Sequence, residues 1–476
     1  MCLQALVLQQ PQERRMETFD AYLERKSREI SLLNACLNAP LTLSRPGSPA
    51  EVIKQKFWLS SALKAEHAIE DWTLTETAWA HPGKVRTGPF EFSYDYQRAD
   101  LEVQGPSFYA FEQPAWHDTI YTSSGMSAIS ALLFASAKFL PSADIMVLPG
   151  SYGETLELIE THARHLRAVQ LTNPVTDLAT AADKHRILLL DTSTPSHGIE
   201  ATMRCPSPRL DLVIFDTTCF SSGSGRIGRV LRWARRHDLP VVLVRSHTKL
   251  DSLGVEYGRL GSAVFVGANE PGMTERRGLT RALANETRHA VRLFGGAALP
   301  AHFPPYAGNA GYRALADRRV ASILRNSRRT ARYFAKVLAG APPPVHFAHG
   351  LYLTLVPNRA LDEGQARQLA EELSTDLASA GMPLRHAGSF GFDFAATEWF
   401  HDTSGDRYLV RIAVPDLPTL LWDEIAKAIA DWWAATVLRR GEGPNHSHGI
   451  MTEPGSKTCI HRRRGNPLWH QTRKPP

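Results

Sequence analysis

Ser246-His247-Thr248-Lys249 directly follows an apolar run, residues 241–244, that reads as a buried strand. A lysine at the exit of a buried strand, preceded by two hydroxyl side chains, has the layout of a pyridoxal phosphate anchor. The Lys249 amine forms the imine, and Ser246 and Thr248 hold the phosphate. Asp216 ends a second apolar run, residues 212–215, and ligands of open α/β sheets bind at the carboxyl ends of strands. A carboxylate there can keep a pyridine nitrogen protonated, although the same residue also suits a cap on the following loop.

Three further segments suit the same chemistry. Ser123-Ser124-Gly125-Met126-Ser127-Ala128 opens an amphipathic helix with no bulky residue near its start, so its free N–H groups form an anion site that suits a phosphate; Ser-Ser-Gly is also a common helix cap. Tyr152 follows the run 145–148 and its Pro149-Gly150 turn, where an aromatic ring can stack on a pyridine. Arg411 alternates with Val410 and Ile412, which puts it on the opposite strand face, suited to bidentate capture of a substrate carboxylate or to a surface ion pair.

These residues need a scaffold that brings strand ends together. Residues 145–148, 187–190, 212–215, 241–244 and 263–266 read as strands, with helices over 125–139, 153–165 and 226–237 between them. Short apolar strands separated by helices predict a mostly parallel sheet covered on both faces, in a large domain over residues 116–311. Residues 1–115 read as an N-terminal extension with helices over 17–38 and 50–71 and a loop-like aromatic segment over 90–109. A long helix, 312–338, must end before Pro342-Pro343-Pro344. It leads into a smaller C-terminal α+β domain, ending near 438, with strands 352–356 and 408–414 and helices 361–380 and 420–438.

A chain of 476 residues with 43% hydrophobic and 21% charged content is long enough for two domains and a large core. Residues 439–476 hold eight Lys/Arg against two acids, which accounts for the whole net charge of +6. The body is near neutral, so no nucleic-acid partner is expected, and the tail, rich in Gly, Pro, His and Ser, is expected to be disordered. Five scattered cysteines suggest neither a disulfide framework nor a zinc site, and no metal is expected. Reduced thiols, with neither a signal segment nor a spanning run, point to a cytoplasmic protein away from membranes.

Taken together the motifs resemble the fold-type I pyridoxal phosphate enzymes, and most closely the cystathionine synthase and lyase group of cysteine and methionine metabolism. Ser246-His247-Thr248-Lys249 matches its S-x-T-K anchor, Ser124-Gly125-Met126 its phosphate loop and Tyr152-Gly153-Glu154-Thr155 its stacking Y-G-x-T. Asp216-Thr217-Thr218 resembles D-N-T, Leu409-Val410-Arg411-Ile412 resembles L-V-R-L, and Ser389-Phe390-Gly391 resembles S-L-G, all in family order. The resemblance implies an aspartate-aminotransferase-like large domain, with Thr218 at the cofactor and Ser389 at the substrate. Tyr96-Gln97-Arg98 matches the Y-x-R arm that in this family reaches a neighbouring subunit's phosphate, which implies a homodimer or homotetramer with shared active sites.

Departures are equally specific. A basic helix is inserted within residues 221–239, Asp191-Thr192-Ser193-Thr194-Pro195 stands where E-x-P-x-N-P is expected, and Asp251-Ser252-Leu253-Gly254 replaces G-G-H-S-D. The resemblance implies γ- or β-elimination or replacement on an amino acid, through a vinylic intermediate, in general or specialised metabolism. A pyridoxal phosphate-dependent aminotransferase is the alternative. A third reading, an NADP-dependent oxidoreductase, rests on Gly223-Ser224-Gly225-Arg226-Ile227-Gly228 before a helix, with Arg245 placed to read a 2′-phosphate.

Overall fold

Thr18 and Ser48 each accept a backbone N–H from three residues on, which starts helices α1 (Phe19–Asn34) and α2 (Pro49–Glu66). The computed structural model describes residues 17–68, 85–94, 101–111, 117–194, 196–267, 275–338, 345–346, 350–402 and 406–438. Where a loop is expected around residues 90–109, the chain forms an antiparallel sheet of β1 (Val85–Thr87), β2 (Phe90–Tyr94) and β3 (Leu101–Gln104). The reason is a short period-2 pattern. Phe90 and Phe92 point inward against Phe303, while Ser93 faces out.

The central layer begins with β4 (His117–Thr122), α3 (Gly125–Ser136), β5 (Ala143–Val147), α4 (Gly153–Thr161) and β6 (Leu166–Gln170). It continues through α5 (Pro174–Ala179), β7 (His185–Asp191), α6 (Ser196–Thr202), β8 (Leu212–Asp216), α7 (Gly225–Arg236), β9 (Val241–Ser246) and β10 (Gly261–Val266). These seven strands form one sheet in the order β4-β10-β9-β8-β7-β5-β6. β6, β5, β7, β8 and β9 are parallel, and β10 runs antiparallel to β9 and β4. Alternate residues feed opposite cores: Ile187 and Leu189 pack with α3, and Leu188 and Leu190 with Trp233 of α7. The sheet is therefore the mostly parallel, doubly covered one that the sequence predicts. The two strands not foreseen, β4 and β6, are its edges, where half-exposed polar residues break the apolar signature.

Helix α8 (Glu275–Phe294), also not anticipated, lies against α3. The long helix α9 (Ala310–Val337) follows, then β11 (Val345–His346), β12 (Tyr352–Leu355), α10 (Glu363–Ser379), β13 (Leu384–His386), β14 (Ala395–Asp402), β15 (Arg407–Ala413) and α11 (Thr419–Trp433). The last strands form a second sheet in the order β11-β12-β15-β14-β13. Tyr22 and Leu23 of α1 and Val52 of α2 share a hydrophobic cluster with β12, β15 and α11, so the N-terminal helices are built into the C-terminal core. Among the described residues no helix is long and apolar enough to cross a membrane.

Candidate active site

The chemistry-bearing residues gather at the carboxyl ends of the parallel strands. Asp191 ends β7, Asp216 ends β8, and the two are register partners. Asp191 is buried and accepts the Tyr152 backbone N–H at 2.6 Å and the Ser193 N–H at 2.7 Å. Asp216 accepts the Thr218 N–H at 2.8 Å, the loop-cap arrangement open from the sequence. It has no ion pair among the described residues. Burial first, and then the Asp191 charge, push the Asp216 carboxyl up to about 7. Burial likewise raises Asp191, against the hydrogen bonds from Ser193 and Tyr152.

A cradle for an anion lies beside this pair. Ser124 caps α3, its hydroxyl accepting the Ser127 N–H at 3.0 Å. A Cβ on Gly125 would come within 3.0 Å of the Ser246 Cβ, and one on Gly261 would strike the Ser124 backbone, so both glycines let the start of α3 approach the β9 exit. Ser246 and Thr248 hydroxyls are 2.9 Å apart there, and the Ser246 N–H donates to the Thr218 hydroxyl at 3.0 Å. Thr218 thus ties the Asp216 strand end to the anchor segment. Met126 packs partly into the core, its sulfur 3.9 Å from the Thr155 hydroxyl.

Residues 247–260 turn the chain back from β9 into β10 and carry Lys249. Its Nζ donates to the Ser389 hydroxyl at 2.8 Å and lies 5.4 Å from the Phe390 ring centroid. Burial lowers its pKa, and the Glu398 charge opposes the shift. A lysine with a depressed pKa supplies more free amine at neutral pH, which suits a nucleophile and a base.

Arg411 of β15 stands opposite Glu398 of β14. Its Nε donates to Glu398 at 2.8 Å, and the guanidinium carbon lies 4.4 Å from the Tyr352 ring centroid and 5.2 Å from that of Phe400. Burial works against its charge, but Tyr352 and Glu398 outweigh it and the pKa is raised. Held through Nε, the guanidinium keeps its terminal nitrogens for a further carboxylate. Burial and the Glu154 charge raise the Tyr152 phenol, so it stays protonated.

Two site residues were missed in the sequence. Asp191 was read only as part of an altered motif, yet it ends the apolar run 187–190 as Asp216 ends 212–215. Glu398 lies on a strand not foreseen. Tyr96 and Arg98, the expected inter-subunit arm, and the basic tail lie outside the described residues.

The dinucleotide reading loses its support here. Arg245 is fully buried, with four of its five N–H donors committed, two to Asp251 at 2.7 and 2.8 Å and two to the carbonyls of Thr217 and Phe220, so it is not presented to a 2′-phosphate. His247 joins the same buried cluster, bonded to Asp251 and Ser262 at 2.8 Å each. The Asp317 carboxylate lies 3.4 Å from where a Gly223 Cβ would stand, an unfavourable neighbour for a pyrophosphate. A cavity of about 250 Å³ is lined in part by this loop, at Gly223, Gly225 and Gly228, and by α7, and neither Lys249 nor Asp216 lines it.

No protein-family model matches the chain. No curated protein matches it either. Among solved structures it is similar to cystathionine gamma synthase from Xanthomonas oryzae pv. oryzae in complex with cystathionine, at 18% identity and TM-score 0.43, over 67% of this chain and 82% of that chain. The structure of the same enzyme in complex with aminoacrylate and cysteine gives 17% identity, TM-score 0.42 and the same coverage. Likeness at this level carries no weight for the function, which has to be argued from the site geometry.

Proposed function

We propose that the protein is a pyridoxal phosphate-dependent enzyme acting on an amino acid by elimination or replacement at the β- or γ-carbon. The observation that carries this reading is the Asp216 carboxylate, raised to about 7 and without an ion-pair partner among the described residues, at the strand end beside the one that leads to the buried Lys249 amine. A half-buried carboxylate with no ion-pair partner among the described residues is stabilised by a ligand that brings a cation, as a pyridinium N–H does.

Each part of the cofactor finds a residue set of fitting chemistry. Lys249 Nζ would hold its aldehyde carbon; Ser246, Thr248 and the start of α3 at Ser124, Gly125 and Met126 its phosphate; Asp216, steadied by Thr218, its ring nitrogen; and Tyr152 its ring face. When bound, the cofactor supplies a ring that takes up the electron pair left at the substrate's α-carbon. Arg411 receives the substrate carboxylate on its terminal nitrogens and so fixes the α-carbon. Freed when the substrate amine takes its place, Lys249 Nζ would take the α-proton, and Ser389, its hydrogen-bond partner, orients that nitrogen. Loss of a β-substituent, or of a γ-substituent once a second proton has left the β-carbon, would then leave an unsaturated carbon open to a nucleophile. The shared-site homodimer, completed by Tyr96 and Arg98, belongs to the same reading.

The test is the visible absorption spectrum of the purified protein before and after borohydride, beside Lys249→Ala. The reading expects a band that borohydride abolishes, with cofactor mass fixed on the Lys249 peptide and absent from Lys249→Ala. A protein that stays colourless when given pyridoxal phosphate refutes it. Supplying a thiol nucleophile or an α-keto acid then separates replacement from transamination.

A further inference from the structure

A buried cluster of charges lies on the far side of the Lys249 loop. Lys26 of α1, Lys56 of α2 and Arg319 of α9 all converge on Asp393, which follows Ser389-Phe390-Gly391 closely in sequence. Glu29 and Asp416 supply further negative charge, all six of these residues are under 4% exposed, and Arg25, paired also with Glu17, joins them through Glu29 and Asp416. Burying this many charges is a poor way to gain stability, because desolvation offsets most of the attraction and apolar residues of equal volume do as well or better. What such a cluster fixes well is relative position.

The contacts with main-chain carbonyls show what is held. Lys56 Nζ donates to the Leu253 carbonyl, in the loop that begins at Lys249, and to Asp393 at 2.6 Å. Arg319 donates to the Gly391 carbonyl at 2.8 Å. The two loops touch at Gly391, where φ is +87° and a Cβ would come within 3.3 Å of the Lys249 carbonyl. Lys249 Nζ then closes the circuit on Ser389 at 2.8 Å. The ring runs from Lys56 through Leu253 to Lys249, across to Ser389, and back through Gly391 and Asp393 to Lys56.

We infer that Lys56 and Asp393 are positioning residues that clamp the Lys249 and Ser389 loops together, and that the N-terminal helix pair is a working part of the site. This rests on the reading above in one respect: the clamp matters for catalysis because Lys249 is the reacting amine. Glu29 provides the control. It contacts Arg25, Lys26, Lys56 and Arg319, but none of its side-chain hydrogen bonds is to either loop.

The experiment follows the pH dependence of Lys249 acetylation by mass spectrometry in the full-length protein, stripped of bound aldehyde with hydroxylamine. Wild type should show a midpoint below the ordinary 10.5. Lys56→Met lets the loops part and admits water, so the midpoint should rise toward 10.5, with a matching loss of free amine at neutral pH. Glu29→Gln should lower the melting temperature and leave that midpoint unmoved. Equal shifts in both variants, or none in Lys56→Met, overturn the clamp. Should Lys56→Met fail to fold, Asp393→Asn is read the same way. The readout needs no cofactor, so a protein without the borohydride-sensitive band would refute the proposed activity and leave this result standing on its own.

Discussion

Asp216→Asn isolates the property on which the functional reading turns. A carboxyl raised from 3.8 to about 7 keeps its proton in the folded state where the unfolded chain has lost it. The folded state therefore binds more protons between those values, and stability falls as pH rises through that window, then levels off above pH 7. The full shift corresponds to about 4 kcal/mol, and the opening of the crevice onto part of the carboxylate reduces this to roughly 2–4 kcal/mol. Urea unfolding of cofactor-free wild type and Asp216→Asn from pH 4 to 8 gives the difference in stability directly. The variant should be near wild type at pH 4 and more stable by that amount at pH 8. Because Asp191 faces Asp216 and is raised too, the pair titrates as a unit and part of the difference belongs to Asp191. Saturating pyridoxal phosphate should stabilise wild type at pH 8 far more than the variant. Parallel stability curves for the two proteins across the range would refute the reasoning.

Gly261→Ala drives a methyl group into the Ser124 backbone, and should cost roughly 1–3 kcal/mol in urea unfolding and weaken protection by inorganic phosphate against thermal unfolding. Arg411→Met should raise KM for an amino acid about 10- to 100-fold, the worth of a charged hydrogen-bonded contact, with a smaller change in kcat. Glu398→Gln, which weakens the hold on the Arg411 Nε, should raise KM in the same assay by less than Arg411→Met does. Arg245→Met strands a buried Asp251 carboxylate and should cost about 3–5 kcal/mol in denaturant unfolding, with bound dinucleotide giving no protection to either protein.

What the sequence made legible was whatever depends on local pattern. The apolar runs before Asp216 and Ser246 became the central strands β8 and β9, because buried parallel strands are apolar on both faces. Edge strands β4 and β6 stayed hidden because they carry no such run. Glu398 was invisible for a different reason: its meaning comes from facing Arg411 across β14 and β15, a pairing that no local window contains. Arg245 shows the reverse error. At a strand end it looked available to a phosphate, and only the fold reveals that Asp251, Thr217 and Phe220 already take its donors.

The cluster around Asp393 also constrains how the chain is made. Lys26 and Lys56 leave the ribosome long before their partners, which follow 390 and 337 positions later, at Asp416 and Asp393. These pairs cannot form until the segments carrying Asp393 and Asp416 exist, so α1 and α2 must wait in water for them. The site is consequently finished only when this long-range contact closes, and a ribosome-bound chain ending before Asp393 should carry Lys249 on a loop that lacks the Lys56–Asp393 tie.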